Sequence, residues 1–132
     1  MAEKKIRTLG QQRAEFALER VSHLKSNRKD FKSFSSSAPA MILKNGFGQS
    51  LAFFMAKGTD KDLKIKPNDK HIELFDIIKS WLIKQKIVDE QNHKDFVKSL
   101  AQMSQKKYLE AQLETLALLE WVKRYANAFI EE

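Results

Sequence analysis

The chain has 132 residues, with 24 Lys+Arg against 17 Asp+Glu for a formal net charge of +7, and it contains no cysteine. Disulfides, thiolate metal sites and cysteine nucleophiles are therefore excluded, and so is a small secreted disulfide scaffold. The length suits one domain, and the positive charge favours an anionic partner such as nucleic acid. No apolar run reaches the ~18 residues of a membrane span and no leader-like stretch is present, so we expect a soluble cytoplasmic protein without membrane contact.

The first helix is predicted to begin near Leu9. Thr8 and Gln11 form a capping-box pattern, in which the hydroxyl accepts from an early amide and the glutamine reaches back. Apolar residues then recur every three or four positions, which predicts one buried stripe on a helix that runs to about Asn27. Low Gly and Pro content with abundant Ala, Leu, Lys, Glu and Gln is typical of a helical domain.

Residues 28–38 mix charge with three consecutive serines, and we interpret them as a connection. Pro39 then opens a second helix, because its missing amide hydrogen would be unpaired in the first turn anyway. That helix is predicted to run to Lys57 and to end at Gly58, in the left-handed stop conformation. It contains two interior glycines, Gly46 and Gly48.

The stretch 58–70 has alternating charge and little apolar content, so it is predicted as a mobile loop. Asn68 or Asp69 caps a third helix, and Asn92 opens a short fourth one. Ser104 caps the fifth and longest helix. The apolar face of that helix is so broad that more than one neighbour must cover it, which makes it the central element. The predicted fold is therefore all-α: residues 1–132 form a single-domain antiparallel bundle of about five helices.

No catalytic, cofactor or metal motif emerges from the residues. Gly46-Phe47-Gly48 lacks the third glycine and the preceding strand of a phosphate loop, so its glycines are interpreted as allowing close approach of a helix or an RNA backbone. The three histidines fall on separate predicted helices, and the acidic residues after Asp60 lack the spacing of a calcium loop. Neither a nucleophile motif nor an adjacent His-Asp pair is present, so we expect no enzymatic activity.

Positive charge is concentrated near the N-terminus. Residues 1–34 carry nine basic and four acidic side chains, whereas residues 71–132 carry nine basic and ten acidic ones. Arg13 and Arg20 are two helical turns apart, so they share one side of the first helix and could follow a phosphate backbone. Charge alone leaves RNA contact and a solvated basic face both open, while the near-neutral C-terminal half suits protein neighbours.

Three blocks of sequence carry a family resemblance: QRAEFA at 12–17, PAMILKNGFGQSLAF at 39–53, and 110–126, which ends in LALLEWVKRYA. Together they resemble the small subunit of the type III-B CRISPR effector, the fifth protein of the Cmr complex. The resemblance covers nearly the whole chain with the blocks in order, and the middle block is the most specific.

The resemblance implies an all-helical bundle without enzymatic activity of its own. Copies of such a subunit stack into a filament beside the backbone subunits, next to the large polymerase-like subunit, and frame the groove in which CRISPR RNA pairs with target RNA. The implied function is that of a non-catalytic small subunit of a Cmr-type antiviral ribonucleoprotein complex. A free-standing basic helical nucleic-acid-binding protein is the alternative, although the loop at 58–70 and the long final helix argue against a helix-turn-helix.

The residues expected to contact RNA or neighbouring subunits fall inside the matching blocks, except Arg20, which joins them by helical geometry. They are Arg13, Arg20, Lys44, Asn45, Gln49, Lys123 and Arg124. Each has an alternative role in packing: Arg13 could pair with Glu110 or Glu114, and Lys123 with Glu120 or Glu131. Trp121 and Tyr125 are interpreted as core or interface aromatics, because they adjoin the apolar stripe.

Overall fold

The computed structural model describes residues 6–131, and within them it contains six α-helices and a single isolated β-bridge between Thr59 and Ile65. The helices are α1 (Leu9–Ser22), α2 (Arg28–Asn45), α3 (Phe47–Lys57), α4 (Lys70–Lys84), α5 (His93–Gln102) and α6 (Gln105–Phe129). The predicted all-α class is confirmed, with six helices where about five were expected. None of these helices is both long and apolar enough to cross a membrane.

Four helices begin where their capping residues predicted. Thr8 and Gln11 form the reciprocal capping box of α1, and Asp69 accepts from the first amides of α4. Asn92 and Ser104 cap α5 and α6 in the same way. Each side-chain oxygen accepts a hydrogen bond from a backbone amide that has no partner inside the helix. These helix starts can therefore be predicted from the capping residue in the sequence.

The segment 28–38, predicted as a connection, is instead the first half of α2, and α1 ends at Ser22 rather than near Asn27. Asn27 is the cap of α2 and accepts from the amide of Asp30 at 3.0 Å. Two serines of the segment keep their hydroxyls within the helix by donating to carbonyls three residues earlier. Three apolar side chains of the same segment are buried: Phe31, Phe34 and Ala38.

Glycine explains why one predicted helix is two. Gly46 has φ +93°, which ends α2 and begins α3, so it is not an interior helical residue. A Cβ on Gly46 would meet nothing within 4 Å, so no other helix approaches closely there within residues 6–131, and approach of an RNA backbone stays a prediction. At Gly48 the close approach of a helix is confirmed, because a Cβ would lie 3.2 Å from Tyr108 Oη of α6. Pro39 lies inside α2 rather than at a helix start.

The helices run up and down along the bundle. Lys32, near the start of α2, donates to the carbonyl of Ile130 after α6 at 3.0 Å, whereas Gly48 just beyond α2 donates to Tyr108 near the start of α6 at 2.7 Å. Helices α2 and α6 are therefore antiparallel. Helix α4 is antiparallel to α1, because Glu73 at its start binds the chain beyond α1 while Trp81 near its end packs against the middle of α1.

Helix α6 packs against α1, α2 and α4, as expected of a central element. Its inner face is buried along most of its length, including Leu118 and Leu119. The prediction that more than one neighbour covers this helix is therefore confirmed. Its outer face stays open within residues 6–131, where Leu109 is 48% and Leu113 64% exposed.

Gly58 follows α3 for a different reason from the one predicted. Its φ is −90°, outside the left-handed region, so conformational freedom does not require glycine. A Cβ at this position would lie 2.1 Å from Cγ1 and 2.4 Å from Cδ1 of the buried side chain of Ile72. The end of α3 therefore touches the start of α4 so closely that only a hydrogen fits.

We expect Gly58→Ala to destabilise the protein by about 1–3 kcal/mol, because overpacking must displace Ile72 or the backbone. Thermal and urea unfolding measure the change. Gly10→Ala is the matched control, since a Cβ there meets only Thr8 Oγ1 at 3.7 Å, and its stability should be unchanged or slightly higher. Equal stability of the two variants would contradict this account of the α3–α4 contact.

Candidate nucleic-acid interface

A concave surface forms where α2 breaks into α3. Ser50, buried in the first turn of α3, donates its hydroxyl to the carbonyl of Gly46 at 2.8 Å and lies 3.3 Å from that of Met41. Tyr108 accepts the amide hydrogen of Gly48 at 2.7 Å, which anchors the start of α3 on α6. These hydrogen bonds hold the ends of the two helices at a fixed angle.

We call the resulting cavity, of about 550 Å³, the α2–α3 notch. It is lined by Met41, Lys44, Asn45, Gln49, Ser50 and Phe53. The notch brings together three of the seven residues predicted from the sequence as contacts, namely Lys44, Asn45 and Gln49. The sequence interpretation missed Phe53, which is 41% exposed. The signal for it was available, since Gln49 and Phe53 are one helical turn apart.

Arg13 does not face solvent freely. Its guanidinium makes a two-point ion pair with Glu114 of α6, with Nε–Oε1 at 2.6 Å and the second nitrogen to Oε2 at 2.8 Å. Trp81 of α4 donates its indole N–H to the same carboxylate at 2.9 Å. Of the two alternatives that the sequence left open for Arg13, the structure shows the ion pair within the protein. Its partner is Glu114 rather than Glu110.

The hydrogen bond from Arg13 holds the pKa of Glu114 below its ordinary value of 4.5; burial opposes this shift, and the Trp81 hydrogen bond and the charge of Arg13 add to it. The same contact raises the pKa of Arg13. The side chains of Glu114 and Arg13 are only 12% and 21% exposed, so the pair is sheltered from screening by salt. This carboxylate is therefore ionised at neutral pH, and it joins α1, α4 and α6.

Arg20 lies on the same side of α1 as Arg13, as the spacing predicted, but that side packs against the body of the protein. Its guanidinium carbon is 4.9 Å from the centre of the Phe16 ring, and Phe16 packs against Trp81 at 5.0 Å. Arg20 also borders a cavity of about 550 Å³ at the end of α1, beside Glu19 and Asp76. The two arginines therefore do not form an open track for a phosphate backbone.

Lys123 and Arg124 lie on α6, half-buried and exposed respectively. Lys123 makes no ion pair with Glu120 or Glu131 within residues 6–131. One turn further along, Asn127 borders a groove of about 490 Å³ between α6 and the first half of α2. Its other lining residues are Lys29, Lys32, Ser33 and Ser36, none of them acidic.

Sequence reasoning missed this groove because the first half of α2 was interpreted as a connection. The cap pattern of Asn27 and Asp30, followed by Phe31 and Phe34 at helical spacing, could have revealed the helix. Across residues 6–131 no group of three or more His, Cys, Asp or Glu side chains is arranged to hold a metal ion.

The fold and this surface define a small all-α bundle with basic, amide-rich concavities. Comparison with known proteins identifies the group to which it belongs. The family described as CRISPR-associated protein (Cas_Cmr5) matches residues 9–129, so the chain belongs to the Cmr5 family. Membership supports its being a small subunit of the Cmr complex. The crystal structure of a CRISPR-associated Cmr5 family protein from Thermus thermophilus has the same fold: TM-score 0.73 and 24% identity, covering 96% of this chain and 100% of that one.

The Glu114 ion pair should make stability depend on pH. Because the folded pKa is depressed, its contribution is fully present above the unfolded value near 4.5 and is lost as the pH falls through the lower, folded value. We expect Glu114→Ala to cost about 1.5–3 kcal/mol at pH 7. The difference from wild type should shrink below pH 4.5 in urea unfolding. Glu120→Ala, which removes an exposed carboxylate from the same helix, is the matched control and should cost less at pH 7. A cost for Glu114→Ala that stays constant from neutral to strongly acidic pH would contradict this assignment.

Proposed function

We propose that this chain is a non-catalytic small subunit of a Cmr-type, type III-B CRISPR complex. In this proposal copies of it stack into a filament beside the backbone subunits and contact guide and target RNA through basic side chains. The observation that carries the proposal is membership of the Cmr5 family over residues 9–129. The partners are the other Cmr subunits, further copies of this chain and the two RNAs, within the cytoplasm.

The α2–α3 notch supports the RNA contact. Lys44 supplies a positive charge, Asn45 and Gln49 supply amide donors and acceptors, and no carboxylate lines the cavity. These side-chain types contact phosphate and sugar without reading sequence. In an RNA-guided complex they need not read it, because base pairing with the guide provides specificity.

The outer face of α6 supports protein contacts. Leu109 and Leu113, one helical turn apart on that face, are 48% and 64% exposed. Exposed apolar side chains on one helix are typical of surfaces that partner proteins cover. Residues 71–132 are also nearly neutral, so this half of the chain lacks the charge repulsion that would oppose stacking.

Affinity purification of the tagged chain from its native cells tests the subunit assignment. We expect mass spectrometry to find the large polymerase-like subunit and the backbone subunits, and sequencing to find short CRISPR RNAs. A tagged, unrelated basic helical protein of similar size is the control for charge-driven recovery. Recovery of the chain alone or with bulk DNA would overturn the proposal and favour the free-standing nucleic-acid-binding protein.

Charge removal at the notch tests the RNA contact. Lys44→Gln should weaken binding of RNA to the assembled complex and lower the slope of log affinity against log salt by about 0.7–0.9, the value expected for one lost phosphate contact. Lys94→Gln, an equal change of charge at an exposed position on α5, should leave the slope unaltered. Identical slopes for the two variants would remove Lys44 from the interface.

A further inference from the structure

The α2–α3 notch is lined by both apolar and polar side chains. Met41 and Phe53 are apolar, while Lys44, Asn45 and Gln49 are charged or polar. Its volume of about 550 Å³ falls within the roughly 300–1,000 Å³ of small-ligand sites. Phosphate contact alone would require only the polar side chains, so the exposed ring of Phe53 beside them suits a ligand with an apolar surface of its own.

Phe53 is an exposed aromatic side chain that lines the notch. Its ring makes edge-type contacts with the rings of Phe54, centre to centre 6.4 Å, and His71, at 6.2 Å. The ammonium of Lys57 lies over the Phe53 ring, 5.6 Å from its centre. Exposed aromatic rings combined with positive charge are the surfaces on which proteins stack the bases of single-stranded nucleic acid.

The two amide side chains of the notch are available to a ligand. Neither Asn45 nor Gln49 hydrogen-bonds through its side chain to any other residue within 6–131. A carboxamide offers two donors and one acceptor oxygen, which match the donors and acceptors on the edge of a nucleobase. Both side chains are exposed, and each offers donors as well as an acceptor, so they suit contact with any base rather than selection of one.

We propose that the notch binds an unpaired nucleobase of RNA, stacked on Phe53, with Asn45 and Gln49 at the edge of the base and Lys44 at its phosphate. The proposal rests on the function proposed above, and it specifies that the notch binds a base of the RNA as well as its phosphate. A base within a duplex has both its faces and its pairing edge occupied, so only an unpaired base can stack on Phe53 and present its edge to the two amides. The combination of an aromatic ring with amide side chains and a lysine favours a nucleotide, which carries a flat base, polar edge atoms and a phosphate together.

The test compares two fluorescein-labelled probes on the purified full-length chain by fluorescence anisotropy: a single-stranded RNA of mixed sequence, about 20 nucleotides long so that it spans at least one site, and the same RNA annealed to its complement. Phe53→Leu retains apolar bulk but removes the aromatic ring. It should weaken binding of the single strand by about 5-fold to 150-fold, the range measured for loss of one base–aromatic stack. Its binding of the duplex should change by less than twofold.

Two further variants give the experiment its controls. Lys44→Gln should weaken binding of both probes, because both carry phosphates. Leu43→Ala, at an exposed apolar position on α2 that does not line the notch, should alter neither. Photo-crosslinking of the single strand with iodouridine should place the crosslink on Phe53, as located by tandem mass spectrometry. Melting temperatures within about 2 °C of wild type, roughly the shift produced by less than 1 kcal/mol, establish that the variants are folded.

The nucleobase site would be overturned if Phe53→Leu weakened binding of both probes equally or weakened binding of neither. Crosslinks that avoid α3 would also overturn it. So would failure of the wild-type chain to bind the single strand, and so would a partner subunit found crosslinked at Phe53 in the purified complex. None of these results bears on the subunit assignment, which the co-purification of Cmr subunits decides separately. If the Cmr subunits did not co-purify but the chain still bound single-stranded RNA through Phe53, the nucleobase site would stand. Only the assignment as a Cmr subunit would then be overturned.

Discussion

The carboxylate of Glu114 is the contact on which the arrangement of the long helices depends. It accepts from Arg13 of α1 and from Trp81 of α4 while it projects from the central helix α6. Removing one member would leave an uncompensated charge or indole N–H in a largely buried position, so the three groups are retained together. A second carboxylate acts similarly at the other end of α1, where Glu73 accepts from the amides of Lys25 and Ser26.

The ion pair also redistributes the charge that the sequence displays. Composition places a surplus of basic residues in 1–34, and helical spacing aligns Arg13 with Arg20. The fold then turns that side of α1 toward α4 and α6, so Arg13 is neutralised and Arg20 lies over Phe16. The notch contains a basic side chain, Lys44 of α2, and no carboxylate lines it.

Local signals predicted most of the fold, because caps and apolar periodicity act within a few residues. The starts of α1, α4, α5 and α6 each depend on one side-chain oxygen and were predicted on that basis. Residues 28–38 were wrongly predicted as a connection, and α1 was predicted to extend to Asn27, because the serines and charged residues of this segment are typical of loops. The helix cap at Asn27 was the opposing signal. Tertiary contacts were not predictable: the need for glycine at position 58 comes from Ile72, on a different helix.

The candidate site was predictable to the same extent and for the same reason. Lys44, Asn45 and Gln49 are close in sequence, so one block of resemblance contained all of them. What makes them a cavity is the positive φ of Gly46, which turns the chain between two helices and leaves α2 and α3 side by side. With a continuous helix, Phe53 would lie two turns beyond Asn45 on a convex surface. The backbone break thus places an exposed aromatic ring beside a row of polar side chains on one concave surface, which is the combination on which single-stranded bases stack.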